Sequence, residues 1–356
     1  MKANVKRKSE AGFSLVELII AVGVMVVVTA AISTLMRDTM KVATTTFEFA
    51  DSQENLRIAQ EYINRDLMNA GDGLKSISTI RVPTAFVQNY ISLNPVTEAS
   101  MPANTINLGI LTSDNQIPAN TSVTGASPAA TILESTDRQT ILEIDSSFAA
   151  IPLPASPTAS VNSTGSQITV STSDIGKFTV GEIYFVTSSV GGCFIAVTAK
   201  NSSTGVLSFN NGDPYGLNVT GLAGHLKNIA NGGLIPASLM RMRIIHYYVT
   251  SGKLLMRREF GIKGGGFRDS IIAEHVLNVQ FNYGLNIQDA MGNLAQPTNM
   301  LSTPEQRLAV RQVEVTVLVE TPKAVQGGLQ PTLSGTTSTS VRNMQFRQAL
   351  QPTANP

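Results

Sequence analysis

The sequence predicts an α+β protein in which one long N-terminal helix precedes a β-rich region. Three observations predict this fold class. A basic N-terminal segment is followed by an uncharged apolar run. A helical pattern without proline or glycine then continues from residue 36 to residue 69. Short segments of alternating apolar residues recur in the second half of the chain, as expected for strands.

The N-terminal segment has the pattern of a membrane anchor. Residues 1–12 carry four basic residues and one acidic residue, and residues 18–36 carry no charge. As a helix, residues 13–35 would span about 35 Å, which is enough to cross a hydrocarbon core about 30 Å thick. Basic residues before such a span favour a cytoplasmic N-terminus. The remainder of the chain is therefore predicted to be exported.

Glu17 is an acidic residue near the start of this apolar run. A charged side chain in hydrocarbon costs about 3 kcal/mol, so a carboxylate there is expected to have a partner. No convincing small-residue cleavage site follows the run, but Gly12 directly precedes it. Cleavage after Gly12 would make Phe13 a new N-terminus and would place an amine close to Glu17 along the chain.

The heptapeptide Gly12-Phe13-Ser14-Leu15-Val16-Glu17-Leu18 resembles the class III signal of type IV pilins and type II secretion pseudopilins. The resemblance implies that a prepilin peptidase cuts between Gly12 and Phe13 and methylates the amine of Phe13. It also implies that Glu17 pairs with the N-terminal amine of a neighbouring subunit during filament assembly. The alternative is a plain signal anchor with a stray glutamate. Unlike many major pilins, this chain has no proline in the apolar helix, and residue 34 is Thr34.

The segment 36–70 is predicted to continue the helix with an amphipathic pattern. Its apolar stripe comprises Val42, Phe49, Leu56 and Ile63 at seven-residue spacing, widened by Ala59, Tyr62 and Leu67. The stripe spans too few heptads for a coiled coil and predicts a docking face for the C-terminal region. Glu61 and Arg65 are spaced for a helical ion pair, and Gly71 and Gly73 are predicted to end the helix.

A second resemblance concerns the end of this helix. The segment 65–71 partly resembles the "DLR-x-AG" helix end of PilW-type minor pilins and J-type pseudopilins, with Met68 and Asn69 in the middle. The segments 178–186, 273–277 and 341–343 resemble weaker patterns of the same proteins. The resemblance implies a type IV pilin fold with a leader at 1–12, a transmembrane half-helix at 13–35, an amphipathic periplasmic half-helix at 36–70 and a β-rich head at 71–356.

The strands of the head are predicted from alternation and from bounding Gly, Asn or Ser residues. They are expected at 140–145, 168–173, 182–188, 194–199, 206–209, 241–249, 253–259, 277–283, 313–319 and 339–346. Two regions rich in Pro, Ser and Thr, 101–165 and 321–337, are expected to consist mainly of loops.

Candidate chemical sites in the head are few, and each has a simpler structural interpretation. The three histidines, His225, His246 and His275, lie in separate segments without ligand spacing, so no metal site is predicted. The segment Asn210–Asp213 could offer oxygens to calcium, but an Asx-type turn explains the same residues. No metal, cofactor or catalytic residue is predicted.

Three further features receive structural interpretations. Cys193 is the only cysteine, so no intrachain disulfide is possible, and a small buried residue in a strand is the favoured interpretation. Arg257 and Arg258 are interpreted as a solvated hairpin end rather than a contact patch. The run Gly264–Gly266 opens no predicted helix and is interpreted as a turn rather than a phosphate-binding loop.

The resemblance implies a structural assembly protein rather than an enzyme, namely a minor pilin of a type IV pilus that joins a priming complex near the tip and promotes pilus assembly. The net charge of +1 and the charged fraction of 14% give no sign of nucleic-acid binding. By resemblance, the expected partners are prepilin peptidase, other minor and major pilins, and an inner-membrane assembly platform. The expected location is the bacterial inner membrane and then the pilus surface. The alternatives are a type II secretion pseudopilin and, from another class, a signal-anchored periplasmic enzyme or sensor.

Overall fold

The computed structural model describes residues 12–74, 79–126, 128–153, 161–188, 191–220, 225–230, 238–262, 266–288, 292–324, 328 and 330–341. A single helix, α1, spans Leu15–Asn69, and a β-rich region follows it. The predicted α+β fold class is therefore confirmed. The helix begins and ends within two residues of the positions that the apolar run and the two glycines indicate.

The described part of the β-rich region contains short strands in its first half and long strands in its second half. The first ten are β1 (Ile80–Pro83), β2 (Thr105–Asn107), β3 (Leu111–Asp114), β4 (Arg138–Ile144), β5 (Ile151–Pro152), β6 (Gln167–Thr169), β7 (Ile183–Ser188), β8 (Gly191–Ala196), β9 (Ala199–Asn201) and β10 (Val206–Ser208). The others are β11 (Ser238–Met240), β12 (Met242–Val249), β13 (Leu255–Phe260), β14 (Phe267–Ala273), β15 (Val276–Leu285), β16 (Val310–Glu320) and β17 (Thr332–Ser340). Short helices lie at Thr84–Tyr90 (α2), His225–Ala230 and Pro304–Leu308.

These strands form four sheets. A six-stranded sheet has the order β2-β1-β8-β7-β11-β5, and a five-stranded sheet has the order β14-β13-β12-β4-β3. Two three-stranded sheets have the orders β15-β16-β17 and β6-β10-β9. Among the described strands, β1 and β8 pair in parallel and the other pairs are antiparallel. The predicted hairpin is confirmed as β12 and β13.

Two loop predictions are wrong in part. The region 101–165 contains β2, β3, β4 and β5, of which only β4 was expected. The region 321–337 contains the start of β17, which pairs with β16 from Glu320↔Thr332 onward. The strand predicted at 339–346 is therefore the end of β17, and residues 342–346 lie outside the described residues. Among the described strands, β17 pairs with β16 alone and is therefore an edge strand. It is rich in Ser and Thr, a composition that is also typical of loops.

The chain divides into two units, Met1–Asp51 with Thr321–Pro331 and Ser52–Glu320 with Thr332–Pro356. In the first unit, the described apolar side chains from Phe13 to Met36 are solvent-exposed on α1. Three threonines in and just after this stretch donate their hydroxyls to carbonyls one turn earlier: Thr29 to Met25 (2.7 Å), Thr34 to Ala30 (3.0 Å) and Thr39 to Leu35 (2.8 Å). These polar groups thus have partners within the helix, as a lipid environment requires.

In the second unit, the last turns of α1 pack on the β15-β16-β17 sheet. Ala59, Ile63 and Leu67 are buried, and Leu56 is half-buried. The predicted docking face is confirmed from Leu56 onward. Val42 and Tyr62 are exposed, so the buried face of the helix contains fewer residues than the predicted apolar stripe.

Strand β17 approaches α1 closely. A Cβ at Gly335 would lie 2.7 Å from Nε2 of Gln60 and 3.0 Å from Cδ2 of Leu56. Asn64 donates to the Thr337 hydroxyl (3.0 Å) and accepts from the Thr339 hydroxyl (2.6 Å). Polar side chains of β17 therefore form its hydrogen bonds to the helix.

In the described structure, Arg65 makes two contacts other than the predicted ion pair with Glu61. The Arg65 guanidinium lies 4.8 Å from the centre of the Tyr62 ring, and its Nε is 3.8 Å from Asp66 Oδ1. Arg65 is largely exposed in both contacts, so neither contributes much to stability.

Asp66 joins the end of α1 to the five-stranded sheet. It is 2% exposed, and its Oδ2 accepts hydrogen bonds from the Tyr247 hydroxyl and from Arg257 Nε, both at 2.6 Å. Arg257 Nη1 also donates to Glu259 Oε1 at 2.6 Å. Tyr247 and Arg257 are paired neighbours on β12 and β13. One carboxylate from the helix thus joins two adjacent strands.

The interpretation of Arg257 and Arg258 as a solvated hairpin end is wrong. Arg257 is 9% exposed and Arg258 is 2% exposed. Arg258 forms a two-pronged ion pair with Asp269 on β14, with both N–O distances at 2.7 Å, and lies over the Phe267 ring. Both arginines are tolerated inside the protein because carboxylates on neighbouring elements neutralise them.

We expect Asp66→Ala to lower the free energy of unfolding by about 3 kcal/mol, because it removes the main partner of a buried arginine. Glu61→Ala removes the same charge from an exposed position on the same helix and should change stability by less than about 0.5 kcal/mol. Denaturant unfolding of the full chain in detergent, followed by circular dichroism, measures both. Equal effects of the two substitutions would contradict the role assigned to Asp66.

Candidate processing and assembly site

The predicted processing site lies at the start of α1. Ser14 directly precedes the first helical residue, Leu15, and Leu18 N donates to Ser14 O at 3.2 Å. Ser14 is therefore the N-cap residue, and Glu17 is the third residue of the helix. The pattern Ser-x-x-Glu is the sequence signature of a capping box.

Glu17 has a hydrogen-bond partner within its own chain. Its Oε2 accepts a hydrogen bond from the Ser14 amide at 3.0 Å. This is one of the two bonds of a capping box, and it satisfies an amide that the helix itself leaves free. A carboxylate in the first turn also interacts favourably with the positive end of the helix dipole. The expected intermolecular pairing of Glu17 would therefore add to a local role or replace it.

The surface around Glu17 is apolar and exposed. Phe13 is 88% exposed and Leu18 is 60% exposed. The helix is long and apolar enough to cross a membrane by length and composition. Gly12 and Phe13 precede the helix in a segment without regular structure, so the backbone on either side of their peptide bond is not held in helical hydrogen bonds. Residues 1–11 of the predicted leader lie outside the described residues.

Cys193 and the two buried histidines are packing residues in the described structure. Cys193 lies in β8 with its side chain fully buried, which raises the pKa of the thiol to about 12. The structural interpretation of Cys193 is confirmed. His246 Nδ1 lies 2.7 Å from the Thr140 hydroxyl. Burial and the nearby charges of Arg138 and Arg258 hold the pKa of His246 well below its usual value, so this ring is neutral.

His225 and His275 lie in different elements of the described structure. His225 Nε2 is 3.3 Å from the Thr105 hydroxyl, and burial lowers the pKa of its ring. His275 lies between β14 and β15 with a positive φ of 57°. No group of three or more His, Cys, Asp or Glu side chains that could hold a metal is found among the described residues.

The Asn210–Asp213 segment forms the predicted Asx-type turn. Asp213 Oδ1 accepts from the amides of Tyr215 (3.0 Å) and Leu217 (3.2 Å), and its Oδ2 accepts from the Asn218 amide (2.8 Å). Both oxygens of this carboxylate thus accept hydrogen bonds from backbone amides. Of the run Gly264–Gly266, only Gly266 is among the described residues.

Residues 7–33 match a known family, the prokaryotic N-terminal methylation motif. The match includes Gly12, Phe13 and Glu17. The motif indicates a prepilin-processed protein of the type IV pilin or pseudopilin kind. It implies processing by prepilin peptidase and association with pilins, and it points to a structural role rather than an enzymatic one. No curated protein matches the chain.

Sequence reasoning missed two contacts that acidic residues of α1 make in the described structure. The capping role of Glu17 could have been read from Ser14-x-x-Glu17, which was interpreted only as part of the processing signal. The buried charges of Asp66 and Arg257 are far apart in the sequence, and no local sequence pattern indicates that they pair. Only the packing of α1 against β12 and β13 brings them together.

We expect Glu17→Val to increase hydrogen exchange at the Ser14 amide about fivefold, since losing a cap interaction costs ~1 kcal/mol. Glu17→Gln keeps an acceptor oxygen and should leave this exchange nearly unchanged. NMR of the full chain, labelled with ¹⁵N-serine in detergent micelles, measures the rate. Equal exchange in all three proteins would show that the Glu17–Ser14 bond does not stabilise the helix start.

Proposed function

We propose that this protein is a minor pilin of a type IV pilus, of the PilW type. Residues 1–12 act as the leader, prepilin peptidase cuts between Gly12 and Phe13, and the new amine of Phe13 is methylated. The mature protein then joins other minor pilins in a complex that primes pilus assembly and stays near the tip. The observation that carries this proposal is the match of residues 7–33 to the N-terminal methylation motif.

The described structure supports this proposal in two ways. First, α1 exposes apolar side chains from Phe13 to Met36, a surface that suits lipid before assembly and neighbouring helices in a filament. Second, the last turns of α1 are fixed to a β-rich head through Asp66 and Asn64. We propose a single-pass location in the inner membrane, with residues 13–35 crossing it, residues 36–70 and the head at 71–356 in the periplasm, and later exposure on the pilus.

Glu17 is proposed as the assembly residue. In the unassembled chain one of its oxygens accepts from the Ser14 amide, and a carboxylate can accept several hydrogen bonds. The remaining capacity and the negative charge are available to the Phe13 amine of a neighbouring subunit. Such a pair is favourable only when both charges are present, because one unpaired charge in hydrocarbon is strongly unfavourable.

The pseudopilin of a type II secretion system remains the alternative within the same class. The N-terminal methylation motif is equally compatible with a type IV pilin and with a type II secretion pseudopilin. The large head, which includes β1 to β5 and α2 within residues 71–165, favours a pilus component. Deletion of the gene distinguishes the two, because loss of surface pili supports the proposal and loss of protein secretion with normal pili contradicts it. A signal-anchored periplasmic enzyme or sensor, the alternative from another class, would keep its leader.

We expect mass spectrometry of the purified protein to find methylated Phe13 at its N-terminus. Gly12→Asp should abolish the cut and leave the leader attached. Ser9→Asp introduces the same charge three residues earlier and should be processed normally. A Gly12→Asp protein that still begins at Phe13, or a wild-type protein that keeps residues 1–12, would contradict the proposal.

We expect Glu17→Gln and Glu17→Val to insert into the membrane normally and to support few or no pili, because both lack the charge that pairs with the amine. Glu54→Gln, an exposed position on the same helix, should support normal piliation. Electron microscopy of cells that carry each variant in place of the wild-type gene gives the pilus count. Normal piliation with Glu17→Gln would assign Glu17 to helix capping alone.

A further inference from the structure

The head contains a cavity of ≈ 630 Å³ that the proposed function does not use. Three segments form its walls: the loop Leu93–Thr97, the end of β3 with the residues that follow it to Pro118, and Met300–Ser302. Arg307, from the short helix Pro304–Leu308, completes the lining. All the lining residues belong to the described part of the chain and to one structural unit.

Arg307 is a buried cation in the wall of this cavity. It is 5% exposed. Its Nη1 donates to the Asn107 carbonyl at 3.2 Å, and its Nε has no hydrogen-bond partner among the described residues. Burial lowers the pKa of Arg307 to about 10, so it is still protonated at neutral pH. A buried guanidinium with an unpaired Nε is unfavourable, so an anionic acceptor beside Arg307 would be stabilised there.

The nearby carboxylate of Asp114 is already committed to other partners. Its Oδ1 accepts from the Ser92 hydroxyl, and its Oδ2 accepts from the Leu93 amide (2.8 Å) and from Arg138 Nε (2.7 Å). Asp114 and Glu98 influence the Arg307 pKa through space, but within the described residues neither forms an ion pair with it. Asp114 is therefore engaged by Ser92, Leu93 and Arg138, and Arg307 is the cationic side chain in the cavity lining.

The position of Arg307 depends on a close backbone approach. A Cβ at Gly109 would lie 3.1 Å from Cδ of Arg307 and 2.8 Å from the Leu111 carbonyl oxygen. Because Gly109 has no side chain, the aliphatic part of the Arg307 side chain can lie next to its backbone. The other cavity walls include Val96, Ile117 and Leu301, which offer an aliphatic surface.

We propose that this cavity binds a small organic carboxylate with a short aliphatic body. The carboxylate lies against the guanidinium of Arg307, whose planar donors match two oxygens. The aliphatic part packs against Val96, Ile117 and Leu301. The cavity volume is within the range of small-molecule sites, which are typically apolar with a few fixed polar groups. This binding is independent of the processing and assembly role of the N-terminus.

Isothermal titration calorimetry of the full chain in detergent micelles tests this inference, with butyrate and 4-methylpentanoate as probes. At least one of the two should bind saturably, and the corresponding neutral amide, butyramide or 4-methylpentanamide, should bind at least tenfold more weakly. Failure of both acids to bind, or equal binding of acid and amide, overturns the proposal. Inorganic phosphate or chloride that binds as tightly as the better acid also overturns it, because the aliphatic wall would then contribute nothing.

Two variants and one matched control complete the test. Arg307→Gln should weaken binding of the better acid at least tenfold, and Arg268→Gln, the same substitution at an exposed position of β14, should not change it. Since Arg307 also bonds to Asn107, a second variant leaves the arginine in place: Val96→Phe fills the cavity and should abolish binding without lowering the thermal unfolding midpoint. Wild-type affinity in either Arg307→Gln or Val96→Phe overturns the proposal.

Discussion

The head depends on one buried carboxylate, that of Asp66. It ends the amphipathic part of α1, and it accepts from both Tyr247 and Arg257 on adjacent strands of the five-stranded sheet. Apolar contacts of Ala59, Ile63 and Leu67 give the helix its buried face, but such contacts tolerate sliding and rotation. Two short hydrogen bonds to one carboxylate do not allow such movements, so Asp66 fixes the position along the sheet at which the helix ends.

The same helix carries a second acidic residue, Glu17, whose surroundings differ from those of Asp66. Asp66 is enclosed by protein and accepts two hydrogen bonds from side chains of its own chain. Glu17 is exposed within an apolar surface and receives one backbone hydrogen bond, from Ser14. A carboxylate with one weak local partner can be inserted into a membrane more readily than an isolated charge, and it keeps capacity for a cation that arrives later. The contrast separates Asp66, whose partners lie within the fold, from Glu17, the residue proposed to act in assembly.

Much of the fold could be predicted from the sequence because its signals are local. The limits of α1 follow from an apolar run, an amphipathic stripe and the glycines at 71 and 73, and β12, β13, β15 and β16 follow from alternation. The start of β17 and the strands β2 and β3 were missed, because their short, Ser- and Thr-rich segments resemble loops. What makes them strands is pairing with other strands, such as Thr337 of β17 with Val315 of β16, and no local pattern encodes such contacts.

The arginines of the head show why charge in a sequence does not reveal its role. Arg257 and Arg258 adjoin a turn, which is typical of solvated residues, and yet both are buried. Each has a carboxylate from another element, Asp66 or Asp269, so their charges are structural. Among the described residues, Arg307 is buried to a similar degree, and the partner found for it is a carbonyl. The buried arginines Arg138, Arg257 and Arg258 each pair with a carboxylate. An external anion beside Arg307 at the cavity wall would complete the same pattern.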